Sequence, residues 1–271
     1  MTATRRRVMA ALSLAFMGHC GNVTVSKKAN AQEGRVTPPP ALPSLKGQTI
    51  LVAGATGRVG RQVVEILLAQ GVKVRGTTRD AAKAKAAQPG VEWIQADFKN
   101  LDSVKGLAKG ADRIVITVGS NSFREPTNTP ELVEYKAPAL LIDEAKAAGV
   151  KHIVMVSSVS ATTSDPNATS GIGAVMRYKN QLEKHLRASG IGYTVIRPVG
   201  LWDNPRGQFP IALIPGDVPV SGMVTRGDVA LVIADALANA DAAGKSFTMF
   251  NVTHPDLTLW KSAFKGLPKD M

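Results

Sequence analysis

The chain has 271 residues, 44% of them hydrophobic and 20% charged, which is typical of a globular protein with one sizeable core. Its formal net charge is +12, but five of the 33 basic residues fall in the first 31 positions, where no acidic residue occurs. The other basic residues are dispersed and aromatic residues are few, which argues against nucleic acid as a partner. The single cysteine, Cys20, excludes disulfides in a mature domain, and the four histidines lack metal-ligand spacing, so we expect no metal.

The first 31 residues predict an export signal. Basic residues at positions 5–7 precede a short apolar stretch, VMAALSLAFMG, and a small-x-small pattern ends the segment at Ala31. The stretch is far shorter than the roughly 20 residues of a membrane span, so we expect no stable membrane insertion after removal of the signal. Residues 4–9, TRRRVM, fit the twin-arginine type, which predicts a periplasmic protein. An ordinary export signal, an organellar transit peptide or a cytoplasmic location are the alternatives.

A proline-rich segment, residues 32–47, predicts an extended linker, and the folded domain is expected to span residues 48–271. Seven β-branched, apolar runs predict strands at 49–55, 72–78, 91–97, 113–119, 152–158, 193–198 and 246–252. Helical patterns lie between them at 58–70, 81–87, 101–108, 131–148, 173–189 and 226–238. Repeated strand–helix units predict an α/β fold with a doubly wound parallel sheet of about seven strands, in a single domain with a small C-terminal substrate region.

The first predicted strand runs into the turn GATGRVG, residues 54–60. Glycines in such a turn let the backbone approach a pyrophosphate, while free N–H groups and the helix dipole stabilise its negative charge. Because strand, turn and helix follow in order, the motif predicts a dinucleotide site, built by Gly54, Thr56, Gly57, Arg58, Val59 and Gly60. No Lys-Ser/Thr pair follows the last glycine, which disfavours an ATP-binding loop.

The end of the second predicted strand bears on the choice of cofactor. A fold that binds NAD places an acidic residue there, which bonds the ribose 2′-hydroxyl. This chain has two threonines and Arg79 instead, and Arg79 with Arg58 would form a cationic clamp for a 2′-phosphate. Asp80 is the competing acid, but its place before the helix at 81–87 favours an N-cap. The sequence therefore predicts NADP as the cofactor.

Several segments, taken in order, resemble the short-chain dehydrogenase/reductase superfamily and most of all its atypical, NmrA-like NAD(P)-binding branch. They are GATGRVG, TTRD, QADFKN, VGS, VSS, YTVIRPVGL and TRGDVA, and the resemblance spans residues 48–253. It implies a Rossmann fold and an oxidoreductase. It also implies that Asp97 and Phe98 lie by the adenine, Gly119 and Ser120 by the ribose, and Pro198 by the nicotinamide.

The resemblance also bears on the reaction. In active members of the superfamily a tyrosine and a lysine stand four residues apart on one helix, the lysine bonds the nicotinamide ribose, and a serine after the fifth strand orients the carbonyl. Lys179 matches the lysine, but Val175 stands where the tyrosine belongs. Tyr178 lies about 100° from Lys179 around the helix, so we expect it to be a packing residue. The candidate catalytic residues are therefore Lys179 and Ser158.

The long segment 201–222 is rich in proline and glycine and carries large apolar side chains, which predicts either a wall of the site or a loop buried against the last helix. As a wall it would favour a small, flat, apolar substrate. The resulting hypothesis is that NADPH passes hydride to an acceptor of the quinone, flavin or enone type. Two alternatives stay open: a non-catalytic NADP-binding redox sensor or assembly factor, which Val175 favours, and a sugar-nucleotide epimerase or dehydratase, which the missing tyrosine disfavours. The oligomeric state is left open.

Overall fold

A computed structural model describes residues 45–121, 124–258 and 260–270. The predicted export signal and almost all of the predicted linker lie outside these residues. The strands are β1 (Thr49–Ala53), β2 (Lys73–Thr78), β3 (Glu92–Gln95), β4 (Arg113–Ile116), β5 (His152–Val156), β6 (Gly192–Pro198), β7 (Gly200–Trp202), β8 (Ile211–Pro215), β9 (Met223–Thr225) and β10 (Lys245–Asn251). The seven predicted strands are all among them.

Among the described residues, eight strands form the main sheet in the order β3-β2-β1-β4-β5-β6-β10-β8, and all neighbours are parallel except β10 and β8. Strand β1 lies inside the sheet, between β2 and β4. Its residues Ile50 to Ala53 are all buried, as expected for a strand covered on both faces. The chain leaves β1 toward β2 on one side and later returns on its other side to β4. This change of direction creates a crevice at the carboxyl ends of the strands, where such sheets bind ligands.

In the part of the chain that the structure describes, six α-helices cover the sheet: α1 (Gly60–Ala69), α2 (Ala81–Ala87), α3 (Ala137–Ala147), α4 (Gly171–Ala188), α5 (Arg226–Ala238) and α6 (Trp260–Gly266). A π-helical segment, Glu131–Lys136, leads directly into α3. One apolar cluster joins α1, α5 and α6 to one face of the sheet, and a second joins α3 and α4 to the other face. The prediction of a doubly wound α/β domain with a mostly parallel sheet is confirmed.

The structure differs from the predicted elements in two places. Of the helix predicted at 101–108 only a short 3₁₀ turn forms, Leu101–Val104, and Gly106 soon follows with φ +80°, a left-handed conformation that ends a helix. The segment 201–222 is more than a loop, because its residues Ile211–Pro215 form the antiparallel edge strand β8. Strands β7 and β9 pair with each other beside the main sheet.

Candidate functional site

The glycine turn after β1 has a geometry that only glycine satisfies at two positions. Gly54 has φ +85°, which side chains rarely permit, and its N–H donates to the Thr77 hydroxyl at 2.9 Å. A Cβ on Gly60 would lie 2.2 Å from the Gly54 carbonyl oxygen, so helix α1 packs against the turn at a distance that excludes any side chain. The turn is therefore anchored to the end of β2 and pressed against α1.

The N-terminus of α1 is open to a ligand. Its N-cap residue, Val59, supplies no side-chain hydrogen bond, and the first turn contains no acidic residue. Thr56, Gly57 and Arg58 are exposed at the turn. Amide N–H groups without a capping side chain, together with the helix dipole, suit a pyrophosphate. The residues present therefore fit a dinucleotide cofactor.

The two arginines predicted to hold a 2′-phosphate contact different partners. Arg58 pairs with Asp203, which follows β7, at 3.1 Å, and Arg79 pairs with Glu125 at 3.3 Å. The structure thus does not bring the two guanidinium groups onto one partner. Both arginine side chains are about two-thirds exposed, 67% and 66%, so both are accessible to an anion. Asp80 is the N-cap of α2, as predicted, because its carboxylate accepts the Lys83 N–H at 3.0 Å.

The residues predicted to lie by the adenine follow β3. Phe98 is buried in the apolar core, whereas the Asp97 side chain is partly exposed. The Asp97 carboxylate accepts the Lys99 N–H at 3.0 Å, which fixes the turn that leaves the strand. The Asp97 N–H in turn donates to the Ser103 hydroxyl at 2.9 Å. Asp97 therefore stands at the carboxyl edge of the sheet, whereas Phe98 belongs to the apolar core.

A buried carboxylate that the sequence motifs did not single out lies behind the predicted ribose position. Glu134, on the π-helical segment, accepts hydrogen bonds from the Ser120 N–H at 2.6 Å and from the Ser120 hydroxyl at 2.8 Å. Its other oxygen lies 2.9 Å from the Lys179 ammonium, which also donates to the Val156 carbonyl oxygen at 3.3 Å. Glu134 thus links two predicted cofactor residues. The sequence signal was an acid at the start of a helix, which also occurs on many solvent-facing helices.

A cleft of about 250 Å³ opens at the carboxyl ends of β4, β5 and β6. Several predicted site residues line it: Val59, Gly119, Ser158, Lys179 and Pro198. Its other lining residues are mostly apolar and include Ile172, Val175, Met176 and Leu201. Val175 and Lys179 lie on the same face of α4, one turn apart, as the predicted register requires. Val175, four residues before Lys179, therefore presents an isopropyl group to the cleft and supplies no proton donor.

The two serines after β5 have different surroundings. The Ser157 hydroxyl donates to the buried Glu183 carboxylate at 2.6 Å, so it is engaged in the protein interior. Both serines line the cleft, but Ser157 is buried whereas Ser158 is partly exposed. Tyr178 does not line the cleft; its ring stacks on Tyr135 with centroids 6.4 Å apart. Ser158 is therefore the serine that can reach a ligand, and Tyr178 lies in an aromatic packing contact.

Part of the segment 201–222 borders the cleft. Leu201 lines it, and Trp202 packs on Phe209 with ring centroids 5.5 Å apart. Asp217 ties this segment to the loop that carries Ser158, because its carboxylate accepts the N–H groups of Ser160 and Thr162, each at 2.7 Å. Ser160 has φ +65°, an uncommon conformation for a residue other than glycine. The segment 201–222 and the loop that carries Ser158 are therefore joined by hydrogen bonds.

Within residues 45–270, as far as the structure describes them, no group of three or more His, Cys, Asp or Glu side chains is arranged to hold a metal ion. No helix in that part of the chain is both long and apolar enough to cross a membrane.

The fold and the site define a dinucleotide-binding protein of the Rossmann type. Over residues 54–240 the chain matches the family described as NAD(P)H-binding, which is more than half of its length, and it belongs to that family. Its resemblance to the atypical short-chain dehydrogenase/reductases is thereby confirmed. The prediction of an NAD(P)-binding, oxidoreductase-like protein holds as well.

Three relatives illustrate the range of similar proteins. An uncharacterised chloroplastic protein of Arabidopsis thaliana is 30% identical over 224 residues, which cover 74% of this chain and 76% of that protein. Sanguinarine reductase of Eschscholzia californica is 27% identical over 246 residues, covering 76% of this chain and 90% of the reductase. The solved structure of ChuY, an anaerobillin reductase from Escherichia coli O157:H7, is 28% identical with a TM-score of 0.62, covering 77% of this chain and 99% of ChuY.

Proposed function

We propose that the protein is an NADPH-dependent reductase that passes hydride to a small, flat, apolar acceptor of the quinone, flavin or enone type. The observation that carries the proposal is the cleft beside Lys179, whose walls are mostly apolar and which offers a valine where a proton-donating tyrosine would stand. An acceptor that stabilises negative charge by itself depends less on such a donor. The reductase names of two relatives support the reaction class.

The assignment of NADP rather than NAD rests on the residues after β2. The one acidic residue directly after β2, Asp80, caps α2 and is not offered to a ribose 2′-hydroxyl, and Arg79 is exposed at the same edge. Titration of the purified protein with NADPH and NADH, followed by fluorescence, is expected to give tighter binding of NADPH. An Arg79→Ala change should remove most of that preference, because a guanidinium–phosphate contact contributes only when the 2′-phosphate is present. Equal affinities for both cofactors in the unaltered protein would count against NADP.

The side chains of the cleft have separate roles in the proposed mechanism. Bound NADPH supplies the hydride. Lys179, held by Glu134, would donate hydrogen bonds to the nicotinamide ribose and fix the ring at the floor of the cleft. Ser158 would donate its hydroxyl to the oxygen or nitrogen of the acceptor. The apolar walls would exclude water from the hydride path, which strengthens these polar contacts.

A screen for reduced acceptors tests the reaction. Quinones, flavins and enones are offered with NADPH, and oxidation of NADPH is followed by its loss of absorbance. We expect Lys179→Met to lower kcat/KM for an active acceptor by about 100-fold, because it removes a charge-assisted contact to the ribose. Lys184→Met is the matched control, since Lys184 is exposed on the same helix and does not line the cleft.

The second candidate, a non-catalytic NADP-binding sensor or assembly factor, is favoured by Val175. It predicts a different result from the same screen: NADPH binds, but no acceptor in the panel accelerates its oxidation. A conformational response to NADPH against NADP, read as a change in protease sensitivity, would then favour the sensor over the reductase.

The cellular location is a separate proposal, because the segment that determines it lies outside the described residues. The twin-arginine pattern at residues 4–9 supports a periplasmic protein, whereas the chloroplastic relative is compatible with an organellar one. A reporter fused to residues 1–40 distinguishes them in a bacterial host. Loss of export on changing Arg5 and Arg6 to Lys supports the twin-arginine signal, and unchanged export contradicts it.

A further inference from the structure

One carboxylate at the edge of the sheet is held by two cationic side chains. The Glu125 carboxylate, in the connection between β4 and the π-helical segment, accepts a hydrogen bond from Arg79 at 3.3 Å and another from the Lys99 ammonium. Lys99 also faces the Asp97 carboxylate at 3.5 Å. Neither cation is deeply buried, the Arg79 side chain being 66% and the Lys99 side chain 24% exposed. Arg79 and Lys99 are thus aimed at a shared anionic partner.

This pair of cations stands beside the glycine turn. Arg79 directly follows β2, two residues after Thr77, whose hydroxyl accepts the Gly54 N–H at 2.9 Å. Lys99 follows β3, the strand beside β2, and the Ala96 N–H donates to the Thr78 carbonyl oxygen at 2.8 Å where the two strands end. A dinucleotide with its pyrophosphate at the glycine turn places its adenosine ribose at the end of β2. The Arg79–Lys99 pair is therefore adjacent to the ribose 2′ position.

We infer that Arg79 and Lys99 together form the subsite for the 2′-phosphate, and that Glu125 is an internal anion that competes with the phosphate for both cations. The inference rests on the proposed preference for NADP and extends it. Lys99 is then the second cation of the clamp, in place of Arg58, which pairs with Asp203 on the other side of the turn. The free energy needed to displace Glu125 therefore lowers the affinity for NADP.

The chemistry of the three groups supports the exchange. A 2′-phosphate carries more charge than a carboxylate and three acceptor oxygens, so it can engage a guanidinium and an ammonium at once. The hydrogen bond from Lys99 lowers the pKa of Glu125, so Glu125 is ionised and competes as an anion at neutral pH. The Arg79–Glu125 pair, whose arginine side chain is 66% exposed, contributes little on its own, so most of the cost of displacing Glu125 lies in its partly buried pair with Lys99.

Two ligands that differ only in the 2′-phosphate test the subsite without any reaction. Binding of 2′,5′-ADP (adenosine 2′,5′-bisphosphate) and of 5′-AMP is measured by isothermal titration calorimetry with the unaltered protein and its variants. Lys99→Gln is expected to weaken 2′,5′-ADP about tenfold and to leave 5′-AMP unchanged, because only the former offers the 2′-phosphate. Glu125→Gln is expected to tighten 2′,5′-ADP about two- to fivefold, again without effect on 5′-AMP.

Two exposed residues on neighbouring segments provide matched controls. Lys105→Gln removes a lysine that pairs with Asp102, and Glu131→Gln removes a glutamate that pairs with Lys136. Each control changes the net charge by the same amount as its test variant. If the controls alter the binding of 2′,5′-ADP to a similar extent, the effect is a general electrostatic one and the inference is overturned. Unchanged 2′,5′-ADP binding in Lys99→Gln, or weakened binding of both ligands in Glu125→Gln, would overturn it too.

The design separates this inference from the preference for NADP. If the unaltered protein binds 2′,5′-ADP no better than 5′-AMP and Arg79→Ala changes neither, the assignment of NADP fails. If the unaltered protein prefers 2′,5′-ADP and Arg79→Ala removes the preference while Lys99→Gln has no effect, the assignment of NADP stands and the two-cation subsite fails.

Discussion

The two halves of the main sheet use charge in opposite ways. At the β1–β4 half, the ion pairs around the glycine turn reach solvent: Arg58 with Asp203 is exposed, and Arg79 and Lys99 with Glu125 are partly exposed. At the β5, β6 and β10 half, the central carboxylate, Glu183, is fully buried. Exposed pairs exchange partners at little cost, whereas a buried pair is costly to break. The first half is therefore suited to exchanging anions, and the second to fixing the strand and helix that carry Ser158 and Lys179.

The buried network of the second half is centred on helix α4. Glu183 receives two hydrogen bonds from Arg197 on β6, at 3.0 and 2.6 Å, and one from the Ser157 hydroxyl at 2.6 Å. Arg187, one turn further along α4, joins Glu183 to Asp270, whose carboxylate also accepts the Ser246 N–H of β10 at 3.1 Å. The network thus connects α4, two strands and the C-terminal segment, and it sets the position of Lys179, which lies one turn before Glu183.

The largest effect is expected from Glu183→Gln. The change leaves the buried Arg197 guanidinium without its counter-charge, so we expect a loss of about 3–5 kcal/mol in the free energy of unfolding. Urea denaturation followed by circular dichroism measures it. If the variant does not fold, the double change Glu183→Leu with Arg197→Met tests the same point, because replacing both partners by apolar groups is expected to restore much of the stability.

The comparison between the halves needs a matched change on the exposed side. Glu92→Gln removes the carboxylate partner of Arg75 on β2; the Glu92 side chain is 67% exposed, and Arg75, itself only 15% exposed, keeps its hydrogen bond to the Lys109 carbonyl oxygen. This variant should lose less than about 1 kcal/mol, as exposed pairs generally do. Equal losses in Glu183→Gln and Glu92→Gln would show that burial does not separate the two halves.

The boundary between the halves predicts a dependence of stability on pH. His152, on β5, is buried, and its desolvation together with the nearby Arg113 charge lowers its pKa from 6.5 to about 4. Between about pH 6.5 and 4, His152 is therefore protonated in the unfolded chain and neutral in the folded chain. The contribution of His152 to stability is fully present above pH 6.5 and is lost as the pH falls towards 4, by roughly 3 kcal/mol in all.

A His152→Gln variant isolates this contribution from the other acid-sensitive groups. Glutamine can keep a hydrogen bond to the Thr194 hydroxyl, which lies 3.0 Å from the His152 ring, but it cannot take up a proton in this range. As the pH falls from 6.5 to 4, we expect the free energy of unfolding to decrease more in the unaltered protein than in the variant. A difference that stays constant over that range would place the pKa of His152 close to its ordinary value.

The same division explains how much the sequence predicted. The first half depends on short-range features, such as the glycine turn at 54–60 and the N-cap at Asp80, which can be recognised within a few residues. The buried network of the second half joins Ser157, Glu183 and Arg197, which lie 14 and 26 residues from one another along the chain. No local pattern marks such contacts. A glutamate on a helix usually faces solvent, so burial of Glu183 follows only from the packed fold.

The site shows the same limit at finer scale. The place of Val175 and Lys179 in the cleft follows from helical spacing, but the partner of Lys179, Glu134, comes from another element and depends on how the π-helical segment packs against α4. Strand β8 was also missed, because Ile211–Pro215 lies between prolines and glycines that predict a loop. It is a strand because β10 offers a free edge for antiparallel pairing, which is a property of the completed sheet.

A modest effect, on catalysis rather than on stability, is expected from Asp217→Ala, which tests whether the second half positions Ser158 independently of cofactor binding. The change removes the acceptor for the Ser160 and Thr162 N–H groups and releases the loop after β5. A loss of about 1 kcal/mol in positioning should lower kcat for an active acceptor about fivefold and leave the Kd of NADPH unchanged. Asp165→Ala in the same loop is the control, because that carboxylate bonds only its near neighbour, the Asn167 N–H, at 2.8 Å. A rise in the NADPH Kd that matches the fall in kcat would mean that the loop supports the cofactor as well as the acceptor. The loop after β5 would then not act separately from the half of the sheet that binds the cofactor.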